Sequence, residues 1–269
     1  ETLTEGTLSN GSVAINSNTT SAEVTVNRVT NRMDLTGAST MDLSGALVNV
    51  QDSDIVDTLS SGAATATANS RIMLALNGGE DSTSVDHSSV SVSNNRSMAL
   101  INGNVASNAL NVDTLKIEGL TQTASIENDF TSSDGSVSAG YVLNNIQYNN
   151  SELIATATGN FGVELNKDAG TGISAQTSVL NVNGNMVVAQ GIGNNASNTL
   201  SVSALGSDGA SMALVNSQRS TDPITAIVSG TNIGVVGTAD WASSSVSVTN
   251  NTIRSNAIAN SAVNVTNRR

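Results

Sequence analysis

Cysteine is absent from this sequence, so neither a disulfide framework nor a thiolate metal site can form. Aromatics are only 2% of the 269 residues: one Trp, two Tyr and two Phe. The rings that dominate most cores are nearly missing, so burial must come from Val, Ile, Leu, Ala and Met spread along an extended body. Proline occurs once, at Pro223. Because proline cannot donate to a strand ladder, its scarcity suits long hydrogen-bonded backbone. Charged residues make up 12% of the chain and leave a net charge of −12. A phosphate backbone would be repelled, which argues against nucleic acid as a partner. No apolar run approaches the roughly 18 residues of a membrane span. The chain opens at Glu1 without a charged-then-apolar leader, which reads as a mature product whose signal peptide has been removed.

What fills the sequence instead is Ser, Thr, Asn and Gly, interleaved with β-branched residues. Four windows align: "SVSVSNNRSMALINGN" (89–104), "NIQYNNSELIATATGN" (145–160), "VLNVNGNMVVAQGIGN" (179–194) and "SVSVTNNTIRSNAIAN" (245–260). Their second and fourth positions are apolar, an Asn sits mid-window, and each closes on Asn: Asn104, Asn160, Asn194 and Asn260. Window starts are 34 to 66 residues apart, less regular than most solenoids. The N-terminal third matches more weakly, best at "NSRIMLALNGG" (69–79). The division that follows is a degenerate β region over 1–85, with a candidate edge or donor strand, continuous with a repeat region over 86–269.

Alternation of apolar and polar residues is the period-2 mark of a half-buried strand. After the Asn pair of the first window the small and apolar residues change parity, to Ala99, Ile101 and Gly103. A strand cannot shift its inward face by one residue without a bend or bulge, and Asn accepts the left-handed backbone of such a corner. The unit therefore reads strand, corner, strand, corner, strand, with strands of about five residues. Ser, Thr, Asn, Val and Gly are poor helix formers. The expected fold is all-β, an irregular β-solenoid of degenerate repeats in which Val90, Val92, Val182, Val246 and Val248 are buried; a β-sandwich of pilin or adhesin type is the alternative. The Asn columns suit either turns or hydrogen-bonded ladders along a stack.

Catalytic chemistry finds little to build on. The single histidine, His87 in "SVDHSSV", has no nucleophile motif to serve, and Asp86 beside it cannot take the third role of a triad by adjacency. Carboxylate pairs for glycoside hydrolysis would need aromatic sugar platforms that the chain lacks. Two acidic clusters could offer oxygen ligands to calcium: Asp52, Asp54 and Asp57 in "QDSDIVD", and Glu80 and Asp81 in "GGEDSTSVD". A solvated loop is the plainer reading of both. No enzyme and no cofactor are expected.

Two stretches, "ALINGNVASNALNV" (99–112) and "VVAQGIGNNASNTL" (187–200), resemble the Gln/Gly/Asn/Ala-rich repeats of curli and Fap-type bacterial surface-fibre subunits. The matching element is Asn-x-Ala-x-Asn, at Asn104–Ala106–Asn108 and Asn194–Ala196–Asn198. The resemblance implies secretion to the extracellular space or cell surface, self-assembly, and a role in biofilm matrix or adhesion. The partners it implies are copies of the same chain, with a surface or matrix polysaccharide as a further candidate. Two alternatives stand beside it: an adhesin or phage-fibre stalk, and an ice-binding β-solenoid using "ATATA" (64–68) and "ATATG" (155–159).

Charge is uneven along the chain. Residues 1–135 hold sixteen acids against five bases, while the last residues include Arg254, Arg268 and Arg269. Head-to-tail assembly is expected, with Val13 and Ile15 of "TLSNGSVAINS" (7–17) pairing to a neighbour and Arg268 and Arg269 meeting its acidic end.

Overall fold

A computed structural model describes residues 2–4, 7–54, 56–57, 60–77, 84–118, 124–127, 136–165, 173–207, 211–237 and 239–269. Among these there is no helix, and the chain winds through four stacked coils. The first coil contains β1 (Thr2–Thr4), β2 (Thr7–Ser9), β3 (Ser12–Asn16), β4 (Thr19–Met41) and β5 (Gly45–Ser53). After the short hairpin β6 (Val56–Asp57) and β7 (Ser60–Ser61), the second begins with β8 (Ala63–Asn77), β9 (Ser84–Asp86), β10 (Ser89–Ser93) and β11 (Arg96–Ile117). A hairpin of β12 (Ala124–Glu127) and β13 (Ser136–Ala139) precedes its last strand, β14 (Tyr141–Asn149). The third holds β15 (Glu152–Leu165), β16 (Ile173–Gln176), β17 (Val179–Asn183), β18 (Met186–Ser207) and β19 (Met212–Ser220). The fourth holds β20 (Ile224–Val228), β21 (Asn232–Gly237), β22 (Ala239–Ala242), β23 (Ser245–Thr249) and β24 (Thr252–Arg268).

Equivalent strands of successive coils pair in parallel and form five sheets along the stack. In chain order these are sheet A (β1, β8, β15, β20 and β21), B (β2, β9, β16, β22), C (β3, β10, β17, β23), D (β4, β11, β18, β24) and E (β5, β14, β19). The fold is thus all-β and of β-solenoid type. The boundary at residue 85 falls inside β9, and the described strands on either side of it belong to the same sheets.

Three of the four sequence windows stack in register: Ser89 on Val179 and Val179 on Ser245. The copy below them is "SVAINSNTTSAEVTVN" (12–27), with Ser12 under Ser89 and Asn27 under Asn104. The 145–160 window is not a fourth copy. It runs from sheet E into sheet A, and its Asn160 lies between Arg71 and Asn232. Residues 69–77 of the "NSRIMLALNGG" stretch belong to sheet A as well. True intervals between copies are 77, 90 and 66 residues. The longest contains the β12–β13 hairpin between sheets D and E.

The corners follow from parity. Val90 and Val92 face inward, then Asn95, Ser97, Ala99 and Ile101 do. Between them Asn94 is left-handed, at φ 57°, and so are its stack mates Ser17 (60°), Gly184 (68°) and Asn250 (55°). A second left-handed column joins sheets B and C: Asn10, His87, Thr177 and Ser243, at φ 51°, 46°, 48° and 53°. At Gly103–Asn104 the inward parity flips again, but the strand does not end there. It bends within one 22-residue element, because pairing to β4 and β18 resumes at Asn104. Among the described residues, strands of five residues are found only in sheet C and in β20.

That bend divides the interior. The first half of sheet D closes over sheets A, B and C on an apolar core that includes Leu153, Phe161, Val90, Leu180 and Ile101. The second half faces sheet E on a smaller core of Leu110, Leu200, Tyr141, Leu143 and Met41. Val246 and Val248 fall in the same columns as the buried Val90 and Val92, yet are 45% and 46% exposed. They lie on β23 of the fourth coil, which among the described residues pairs only with β17, so their side chains are covered from one side.

Candidate functional site

Between the two apolar cores runs a buried polar seam. Asn104 Nδ2 donates to Asn194 Oδ1 at 2.8 Å and to the Tyr148 carbonyl at 2.8 Å, while its own Oδ1 accepts from Asn27 Nδ2 at 2.9 Å. Asn194 passes the bond on to Asn260 at 2.7 Å. Four residues further along sheet D a second ladder runs Asn31, Asn108, Asn198, Asn264, at 2.9, 2.9 and 2.8 Å. A third, at the corner between sheets C and D, runs Asn18, Asn95, Asn185, Asn251, at 2.9, 3.0 and 3.1 Å. Sheet E answers with Asn49–Asn145–Asn216 and with a Gln51–Gln147–Gln218 column. Cross-bonds join the sheets, as from Asn108 Nδ2 to Asn145 Oδ1 at 3.0 Å. A buried amide costs stability unless its donors and acceptor are all used. Here the stack uses them, which is why polar Asn can occupy an interior position in every coil.

The ladders are directional. In the three Asn columns of sheet D and its corner, each amide donates toward the fourth coil and accepts from the first. At the fourth coil, Asn260 and Asn264 accept from below, but among the described residues their Nδ2 groups have no acceptor. At the first coil, Asn27 and Asn31 donate upward, and among the described residues their Oδ1 atoms have no donor. In these columns the two faces of the stack therefore carry opposite hydrogen-bonding character; the Gln column of sheet E runs the other way, each amide donating toward the first coil. The fourth coil also exposes apolar side chains: Trp241 (40%) on β22, Val246 and Val248 on β23, and Ile253 (58%) on β24.

The expected assembly residues sit on these faces. Val13 and Ile15 are half-buried on β3, packed against the larger core. The 7–17 segment is thus already the edge of sheets B and C, paired with β9 and β10, and is not a free donor strand. Arg268 ends β24, and Arg269 bonds through its backbone to Val202 and Ala204. The acids Asp34, Asp42, Asp52 and Asp54 belong to the first coil and the cations Arg254, Arg268 and Arg269 to the fourth.

Of the acidic clusters, Glu80 and Asp81 lie outside the described residues, as does the side chain of Asp57. Among the described residues no three acid, His or Cys side chains gather in a metal-binding group. Asp52 is held above the usual carboxylate range, first by partial burial and then by the charge of Asp54. Asp34 is held below it, first by the hydrogen bond from Arg32 and then by that from Asn111. His87 is a left-handed corner residue whose Nδ1 lies 2.7 Å from Asp86 Oδ1. The two threonine segments stack side by side on sheet A, with Thr67 on Thr156, but Ile154 and Ile227 interrupt the grid.

Sequence reasoning missed the sheet E columns and the first-coil copy. A signal for the copy exists: Asn-x-x-x-Asn recurs at 27/31, 104/108, 194/198 and 260/264. No family model, curated protein or solved structure matches the chain.

Proposed function

We propose that the chain is a self-assembling fibre subunit of the extracellular space, serving biofilm matrix or surface attachment, and that it acts through its surfaces and not through a catalysed reaction. One observation carries this reading: the stack presents two unsatisfied and complementary faces. An unpaired strand row is a template for another chain, and a head-to-tail contact that does not close on itself makes a filament. The low charge density and the repeated Asn, Ser and Thr columns support the same use, because each added layer reproduces bonds the layers below already make. Electron microscopy of the purified chain tests it. Unbranched filaments from this chain alone are expected; a protein that stays monomeric in sedimentation at high micromolar concentration overturns the reading.

A second reading has its own observation. The stacked threonines of sheet A, Thr65, Thr67, Thr156, Thr158 and Thr225, form a small outward array, as an ice-binding face would. Thermal hysteresis of the monomer tests that use, and its absence removes it.

A further inference from the structure

Resting on the assembly reading, we infer the register in which two copies of this chain meet: the fourth coil of one copy carries the first coil of the next, with residue n + 233 set on residue n. The offset comes from columns that the stack already defines. Through β17 and β10, Ser245 shares a column with Ser12, and Val246 and Val248 share columns with Val13 and Ile15. Through β18 and β11, Thr252 falls on Thr19, Asn260 on Asn27 and Asn264 on Asn31. Through β16 and β9, Trp241 falls on Leu8. Sheets B, C and D thus demand one and the same shift, although the coils between them differ in length; sheet A departs from it by one residue, since Val236 shares a column with Thr2 through Glu164 and Ala75.

At this register the chemistry of both faces matches. Asn260 and Asn264 present free Nδ2 donors where Asn27 and Asn31 of the next copy present free Oδ1 acceptors, so both ladders run on unbroken. Asn251 stands to Asn18 as Asn185 stands to Asn251, with backbone and side-chain donors aimed at one Oδ1. The reverse approach, fourth coil to fourth coil, sets donor against donor. Trp241, Val246 and Val248, which are exposed in the single chain, cover Leu8, Val13 and Ile15, which are only half-buried. Arg254 falls on Ser21, diagonal to Glu23. Asn267 falls on Asp34, whose Oδ1 already accepts from Asn111 at 2.8 Å. The match fails at Arg268, which falls on Leu35. Among the described residues sheet E has strands in the first three coils, so the contact rests on sheets B, C and D. Each copy adds four layers, or about 19 Å of fibre at the usual strand spacing.

The absence of cysteine gives a clean background for the test. Ser261→Cys and Arg28→Cys variants are prepared separately, mixed under assembly conditions and oxidised. These positions share an outward column at the proposed offset, within the reach of a disulfide. The expected result is a mixed dimer that is at least tenfold more abundant than the dimer from Ser261→Cys mixed with Glu23→Cys. Filament layer lines should give a subunit rise of about four strand spacings. Asn260→Ala combined with Asn264→Ala should slow elongation at least tenfold while the monomer still melts cooperatively. Filaments that cross-link only through the shifted pair, or Ser261→Cys homodimers alone, overturn this register and leave the assembly reading standing. A chain that neither cross-links nor sediments above monomer overturns both.

Discussion

Asn104 and Asn194 are both fully buried, and the amide of one donates to the carbonyl oxygen of the other at 2.8 Å across adjacent coils. Neither residue has water to fall back on, so the bond matters most when it is removed. Asn104→Ala also takes one partner from Asn27 Nδ2, which keeps its bond to the Asp52 carbonyl, and one from the Tyr148 carbonyl. A loss on the order of 3 kcal/mol is expected from buried groups left unpaired, read from chemical denaturation followed by circular dichroism.

Asn104→Asp separates shape from protonation. A protonated carboxyl can donate once and accept once along the ladder; an ionised one can only accept, and it is a buried charge. Burial raises its folded pKa above the unfolded value of about 3.9. Its stability should therefore be nearest to that of the native chain below that value and fall as pH rises through it. A variant equally unstable at pH 3 and pH 7 would contradict the ladder account.

Two glycines of one column should respond oppositely to alanine. A Cβ on Gly162 would sit 1.9 Å from the Gly234 carbonyl oxygen, whereas one on Gly234 meets nothing within 4 Å. Gly162→Ala should cost about 1–3 kcal/mol or more through overpacking, and Gly234→Ala close to nothing. Thermal melts of the two variants measure the difference.

At the corners, Asn94→Val should cost roughly 1–2 kcal/mol, because a β-branched residue resists the left-handed backbone. Asn94→Gly should be nearly neutral. His87 occupies the neighbouring left-handed column, so His87→Asn should leave the melting temperature unchanged.

The two perturbed carboxylates predict pH effects of opposite sign. Asp52 has a raised folded pKa, so its ionisation penalty is absent below the unfolded value and fully present above the folded one. Asp52→Asn should raise the melting temperature slightly at pH 7 and leave it unchanged at pH 3. Asp34 has a lowered folded pKa, so its contribution is present at neutral pH and is lost as pH falls through that value. Asp34→Asn should lower the melting temperature slightly at pH 7 only. Both effects are small because the groups are largely exposed.

Much of this architecture was legible in the residues. Period-2 alternation gave the strands, and the change of parity after Val92 placed a corner at Asn94 on steric grounds alone. Poor helix formers and a single Pro223 left little but long hydrogen-bonded strands. Alternation says which side chains face in, however, not which layer or sheet they belong to. That is why 145–160 reads like a repeat copy although it passes from sheet E into sheet A, and why the copy at 12–27, with fewer matching residues, is easily passed over. Whether Asn104 and Asn108 serve as turns or as ladders was likewise undecided in one dimension, since a ladder exists only when coils separated by 66 to 90 residues come into contact. Val90 and Val246 make the point most directly. They share one local pattern, Ser-Val-Ser-Val, and one column of sheet C, yet the first is fully buried and the second 45% exposed. The sequence determined which way each valine faces; only the stack decided whether another layer lies over it, because burial in a solenoid comes from the neighbouring coil and not from the strand itself.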